Sequence, residues 1–221
     1  MTIAPEILKQ VESITVHRGT PLLICDADEV LLQFARALES FLEDNGYYFD
    51  VSSFALTGNI RRQSDDTPID GTQVRDLISA FFADRAELVP AVPGAAEALN
   101  KLATRAQIII VSNIPLAQRE ARIRGLTRQE MQYPLVANSG GKGAVVRRLA
   151  EQVDAPVLFM DDIPQNISSV AEAANDVHRI HFIADPRLAA LLGPAEDCHH
   201  RIDDWPGARA YIEDHLALHG F

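Results

Sequence analysis

Three short apolar runs punctuate the chain and behave alike: LLIC at 22–25 ends at Asp26, IIIV at 108–111 ends at Ser112, and VLFM at 157–160 ends at Asp161 and Asp162. A fourth, RIHFI at 179–183, ends near Asp185. Each is aliphatic or β-branched and lacks polar alternation, the pattern of strands buried on both faces of a parallel sheet. Between them apolar residues recur at helical spacing. PGAAEALNKLA (93–103), GKGAVVRRLAEQV (141–153) and PQNISSVAEAA (164–174) each predict a helix ending before a strand or turn. The opening segment, MTIAPEILKQVESITVHRG, predicts an amphipathic helix and lacks the compact apolar core of a signal peptide. Strands alternating with helices predict an α/β fold with a mostly parallel sheet.

The gap between the first and second runs is too long for one crossover helix. LLQFARALESFLEDNG (31–46) and GTQVRDLISAFFADRAELV (71–89) are both helical in pattern, and between them NIRRQSDDTPIDG (59–71) is polar and turn-rich. This predicts a small helical insertion over the end of the first strand. The expected division is therefore a core made of 1–33 and 88–221, with a helical cap at 34–87. No internal repeat or low-complexity tract interrupts it.

Composition narrows the function classes. The 221 residues are 47% hydrophobic and 23% charged, as in an ordered globular protein. The formal net charge of −11 argues against attachment to nucleic acid polymers or anionic membranes, which depends on clustered Lys and Arg. No apolar stretch approaches the roughly 18 residues that would span a bilayer. Two distant cysteines, Cys25 and Cys198, make no disulfide framework, and the expected location is cytoplasmic.

The strand ends carry the chemistry. Asp26, Asp28 and Glu29 directly follow a strand built for burial. Like charges at roughly 4 Å oppose each other by about 4 kcal/mol at an effective dielectric near 20, so something must use these oxygens. In an open parallel sheet the functional crevice lies beyond the carboxyl ends of the strands, which gathers these polar residues on one edge. Asp28 as a helix N-cap and Lys142 as a surface lysine are the bland readings of each residue alone. GGKG lacks the spacing and the following Ser or Thr of a P-loop.

Taken in order, DADEV (26–30) after a strand, Ser112 at a strand end, Lys142 opening a helix and DDIPQN (161–166) after another strand resemble the haloacid dehalogenase-like hydrolases. The resemblance covers the whole chain. It implies a Rossmann-like three-layer α/β/α core with a small helical cap inserted after the first strand. It also implies Asp26 as a nucleophile that forms an aspartyl-phosphate and also ligates metal, and Asp28 as the acid/base whose backbone carbonyl also binds metal. Ser112 and Lys142 would hold phosphoryl oxygens, with Asn113 beside them at the substrate. Asp162 is implied as the main metal-binding acid, supported by Asp161 and Asn166. An all-oxygen set favours Mg²⁺ over zinc. A divalent ion would make the clustered carboxylates tolerable.

An Asp at position 28 resembles the phosphatases and phosphomutases, since halide leaves without needing a proton. The expected function is therefore a Mg²⁺-dependent phosphatase acting on a small phosphorylated metabolite, as a monomer or homodimer. The alternatives are a dehalogenase-type hydrolase and a non-catalytic binding protein of the same fold. A fainter resemblance to the deoxyribonucleotidase-like branch rests on DxDxV and LVPAVPGAAEALNKL (88–102), although Glu29 stands where that branch usually has Gly. Arg61 and Arg62 in the cap loop are read first as solvated side chains, with contact to an anionic substrate as the lesser alternative. Cys198, His199 and His200 fit no standard zinc spacing. His178 and His181 are expected near the surface, and Trp205 is expected to anchor the C-terminal helix.

Overall fold

The computed structural model describes residues 3–221; Met1 and Thr2, part of the predicted N-terminal segment, lie outside the described residues. In chain order the elements are α1 (Pro5–Glu12), β1 (Leu22–Cys25), α2 (Phe34–Asp44), β2 (Tyr47–Phe49), β3 (Ile60–Arg62), α3 (Gly71–Arg85) and α4 (Ala95–Leu102). They continue with β4 (Gln107–Ser112), α5 (Arg119–Arg128), β5 (Leu135–Ala137), α6 (Gly143–Ala150), β6 (Val157–Asp161) and α7 (Pro164–Ala173). The chain closes with β7 (His178–His181), α8 (Pro186–Ala189), β8 (His200–Arg201) and α9 (Trp205–Leu218).

Six strands form one parallel sheet in the order β5-β4-β1-β6-β7-β8. β1 is central: Leu22 pairs with Gln107 on one side and Val157 on the other, and Cys25 with Ile110 and Met160. The two-residue side-chain period splits each strand between two cores. Leu23, Cys25, Ile108, Ile110, Leu158 and Met160 pack on one face with α4, α5 and α9. Leu22, Ile24, Ile109, Val111 and Phe159 pack on the other with α1, α6 and α7. A strand apolar at every position is what a sheet covered on both faces requires. The result is a three-layer α/β/α core.

The chain leaves and re-enters this core side by side. Leu32 bridges Ala91 in antiparallel register, Gln33 N–H donates to the Pro90 carbonyl and Val92 N–H to that of Leu31. Between these crossings α2 and α3 pack through Phe34, Phe41, Phe81 and Phe82, whose ring centroids lie 5.3–5.9 Å apart in edge or tilted contacts. An Asp70–Gln73 capping box starts α3. Among the described residues no helix is long and apolar enough to cross a membrane.

Several expectations need correcting. The cap is not purely helical: Tyr47–Phe49 and Ile60–Arg62 form an antiparallel pair inside it. Ile60 is fully buried between polar neighbours, and a three-residue strand leaves too little alternation to be read. β5 and α5 were also hidden, one by brevity and the other because its sequence, REARIRGLTR, is mostly polar. His181 is not near the surface. It is fully buried because β7 lies between β6 and β8, and its Nε2 and Nδ1 meet the Asp162 carbonyl and the Ala195 N–H, each at 3.0 Å. Trp205 is fully buried as the first residue of α9, and its indole N–H donates 2.8 Å to the Val30 carbonyl.

Candidate active site

The carboxyl ends of β1, β4 and β6 deliver the predicted residues to one place. Asp26 follows β1, with its N–H bonded to the Met160 carbonyl at 2.8 Å and its own Oδ1 accepting from Ala27 N–H at 2.7 Å. Asp161 ends β6 and Asp162 follows it. One carboxylate oxygen from each of Asp26, Asp161 and Asp162 lies within 4.8 Å of the others. All three residues are buried.

Lys142, the N-cap residue of α6, is fully buried and enters this cluster. Its Nζ lies 2.7 Å from Asp26 Oδ1 and 2.7 Å from Asp161 Oδ2. Close packing of α6 on α7 sets its reach. A Cβ on Gly143 would fall 2.0 Å from the Ser169 carbonyl oxygen, and Gly143 N–H donates 2.9 Å to Ser169 Oγ. The GGKG run is thus a close-approach seam that carries the lysine inward. Asp161 is engaged on both oxygens: besides Lys142 on Oδ2 it accepts on Oδ1 from Ile163 N–H at 2.9 Å and Asn166 Nδ2 at 3.0 Å. Asn166 therefore contacts Asp161 here.

The electrostatics follow from three buried acids against one buried base. Desolvation pushes the Asp26 carboxyl above its ordinary range, against the opposing pull of Lys142. Asp161 is raised to about 6 and Asp162 well above its usual value, for the same first cause. Burial pulls Lys142 down, but the adjacent Asp161 and Asp26 carboxylates outweigh it and hold the ammonium charged. One positive charge cannot balance three acids, so the pocket favours a further cation. The donors are all oxygen, as a hard divalent ion prefers.

Ser112 Oγ is fully buried with no hydrogen-bond partner. An orphaned buried hydroxyl costs free energy and points to an absent acceptor. Next to it, Asn113 donates 3.0 Å to the Gly140 carbonyl and accepts 2.7 Å from Asn138 Nδ2, which ties the loop after β4 to the loop after β5.

Two residues that sequence reasoning did not assign to the site complete it. Arg122 on α5 is fully buried and holds Asp28 through Nη1 at 2.8 Å and Nη2 at 3.4 Å, with its guanidinium 5.6 Å from the centre of the Phe82 ring. α5 comes close enough because Gly125 packs on the chain leaving the cap, where a Cβ would fall 2.5 Å from the Glu87 carbonyl oxygen. Glu29 takes a left-handed conformation (φ 55°), the geometry that favours glycine. Its buried carboxylate accepts 2.7 Å from Ala35 N–H at the start of α2 and 3.1 Å from Asp185 N–H, bonds that offset the strain. Burial pushes this carboxyl up to about 7. One signal was available for Glu29: an acid where a turn calls for Gly. None was available for Arg122, one Arg among several on a polar helix.

No family model and no curated protein matches the sequence. Solved structures do match the fold. A haloacid dehalogenase-family hydrolase from Deinococcus radiodurans, with bound phosphate and sodium, superposes with a TM-score of 0.58 at 16% identity over 92% of this chain and 99% of its own. A haloacid dehalogenase-like protein of unknown function from Agrobacterium tumefaciens gives 0.59 at 15% over 89% and 99%. A dehalogenase gives 0.51 at 13% over 90% and 98%. At these identities the likeness establishes the fold, which is that of the haloacid dehalogenase-like hydrolases.

Proposed function

We propose that this chain is a Mg²⁺-dependent phosphatase that hydrolyses a small phosphate monoester through an aspartyl-phosphate on Asp26. The observation that carries the reading is the buried convergence of Asp26, Asp161 and Asp162 on one another, with Lys142 bridging Asp26 and Asp161 and the unpartnered Ser112 hydroxyl at the end of β4. Asp26, Asp162 and the backbone carbonyl of Asp28 would hold the metal. When bound, Mg²⁺ supplies the positive charge that lets a carboxylate face a phosphate.

The residues divide the remaining work. Lys142 and Ser112 bind the phosphoryl oxygens, and Lys142 also keeps Asp26 oriented. Asp26 attacks phosphorus as the bond to the leaving oxygen breaks, and Asp28 delivers a proton to that oxygen. Asp28 then takes a proton from water, which attacks the phosphorus of the aspartyl-phosphate and releases inorganic phosphate with Asp26 restored. Arg122 fixes the direction in which Asp28 faces. Asp161 acts through Lys142 as its anchor, a positioning role. The phosphate held by the Deinococcus structure supports the reading by analogy of fold.

The test is Mg²⁺-dependent phosphate release from an aryl phosphate, sugar phosphates and nucleoside monophosphates, beside halide release from 2-haloacids. Phosphate release that stops with a chelator and falls at least about a thousandfold in Asp26→Asn supports the phosphatase. Halide without phosphate would move the assignment to a dehalogenase.

A further inference from the structure

We propose that the groove between α3 and the loops after β4 and β5 receives the leaving group, and that Arg75 selects leaving groups bearing a carboxylate. The proposal rests on the phosphatase reading and adds its substrate class. The groove encloses about 520 Å³. Its cap wall is one face of α3, where Arg75, Ile78, Ser79 and Phe82 follow helical spacing, and its floor includes Asn113. It adjoins the site at two points. Asn113 follows Ser112 directly, and Phe82 lies against the guanidinium of Arg122, which holds Asp28.

Arg75 is distinguished by lining the groove without an ion pair, with Asp70 at the helix N-cap close enough to feel its charge. The two cap-loop arginines are absent from the groove lining: Arg61 lies 3.4 Å from Asp66, and Arg62 donates to Thr67 Oγ1 at 3.2 Å and Gln73 Oε1 at 3.1 Å. Among the described residues Arg75 makes one side-chain hydrogen bond, 3.0 Å to Thr72 Oγ1, and no ion pair. It is the fifth residue of α3, near the end where the helix dipole gives a cation no support. In a chain of net charge −11 a guanidinium that lines a groove without an ion pair is open to an anionic partner. Glu6 also lines the groove, but it stands in the first turn of α1, where the dipole accounts for an acid. A single guanidinium matches the single charge and paired oxygens of a carboxylate.

The experiment compares kcat/KM for phenyl phosphate and 4-carboxyphenyl phosphate, with Mg²⁺, in wild type, Arg75→Gln and Arg75→Lys. Arg75 is exposed, so both variants are expected to fold, as thermal melts would verify. Wild type should prefer the carboxylated ester by about tenfold, the scale of one charge-assisted hydrogen bond. Arg75→Gln should erase that preference through KM with kcat held, leaving phenyl phosphate turnover unchanged, and Arg75→Lys should keep part of it. Hydrolysis of both esters with no preference, or a preference that survives Arg75→Gln, would overturn the proposal while leaving the phosphatase standing. Hydrolysis of neither by folded, Mg²⁺-loaded wild type would overturn the phosphatase reading and this proposal with it.

Discussion

Titratable side chains crowd together at both ends of the sheet, and the two crowds are built differently. At the carboxyl ends, Asp26, Asp161 and Asp162 bring oxygens within 4.8 Å of one another, and Lys142 bridges Asp26 and Asp161. At the amino ends, beside a cavity of about 840 Å³, His178, His199, His215 and His219 line up ring on ring. Centroids of His178 and His215 are 4.2 Å apart, and those of His178 and His199, and of His215 and His219, are 4.5 Å. The ring nitrogens look elsewhere. His178 Nε2 meets the Tyr211 hydroxyl at 2.7 Å, His199 Nδ1 accepts from Arg179 N–H at 3.0 Å, and His219 Nδ1 meets the His215 carbonyl at 2.8 Å.

By residue type the histidine group is the more obvious metal site, and by geometry it is the lesser one. Among the described residues the three aspartates form the group of three or more whose ligand atoms converge. Their mutual repulsion is relieved by a cation or by retained protons, and Asp161 and Asp162 are accordingly raised above the ordinary carboxylate range. The imidazoles relieve theirs by staying neutral: burial lowers His178 to about 3 and pulls His199 and His215 down as well. A cluster becomes a site when its atoms converge and their charge is left unbalanced.

The contrast can be broken at several points. The largest effect is expected for Lys142→Met, which leaves Asp26 and Asp161 buried without their cation. Breaking such a pair costs about 3–5 kcal/mol, so the metal-free protein should melt about 10 °C lower at pH 7. A melt within about 2 °C of wild type would mean that Lys142 does not balance the acids.

A smaller effect of opposite sign is expected for Asp162→Asn. Asp162 binds its proton more tightly folded than unfolded, so its ionisation costs stability as pH rises from about 4 through the raised folded value. In metal-free protein at pH 8 the variant should melt about 4 °C above wild type, and the gain should fade as pH approaches 4. Saturating Mg²⁺ should reverse the order, because wild type gains more from the ion.

The smallest effect belongs to the histidine end. His215→Ala should change the melting temperature by less than about 3 °C and leave turnover unchanged, because the side chain is only half-buried and the stack lies away from the site. A loss of activity would show that the two ends are coupled.

How much of this was legible follows from the same physics. β1, β4 and β6 announce themselves as apolar runs ended by polar residues, because burial on both faces demands the run and the crevice claims the end. Lys142 could be read from its place in that series, although its inward course depends on Gly143 packing against Ser169. Arg122 was illegible, because a buried arginine on a polar helix is recognised only by the acid that it meets. The cap hairpin was hidden by strands of three residues. Arg75 could not be told from Arg61 and Arg62 until Asp66, Thr67 and Gln73 were seen to occupy those two.

The proposed phosphatase chemistry requires that Asp26 becomes phosphorylated. Acid-quenched turnover, reduced with borohydride and mapped by peptide mass spectrometry, tests it directly, since an aspartyl-phosphate is reduced to homoserine. Wild type quenched with substrate and Mg²⁺ should yield homoserine at position 26, and none without substrate. Rapid phosphate release with unmodified Asp26 in every quenched sample, or homoserine at another aspartate, would contradict it.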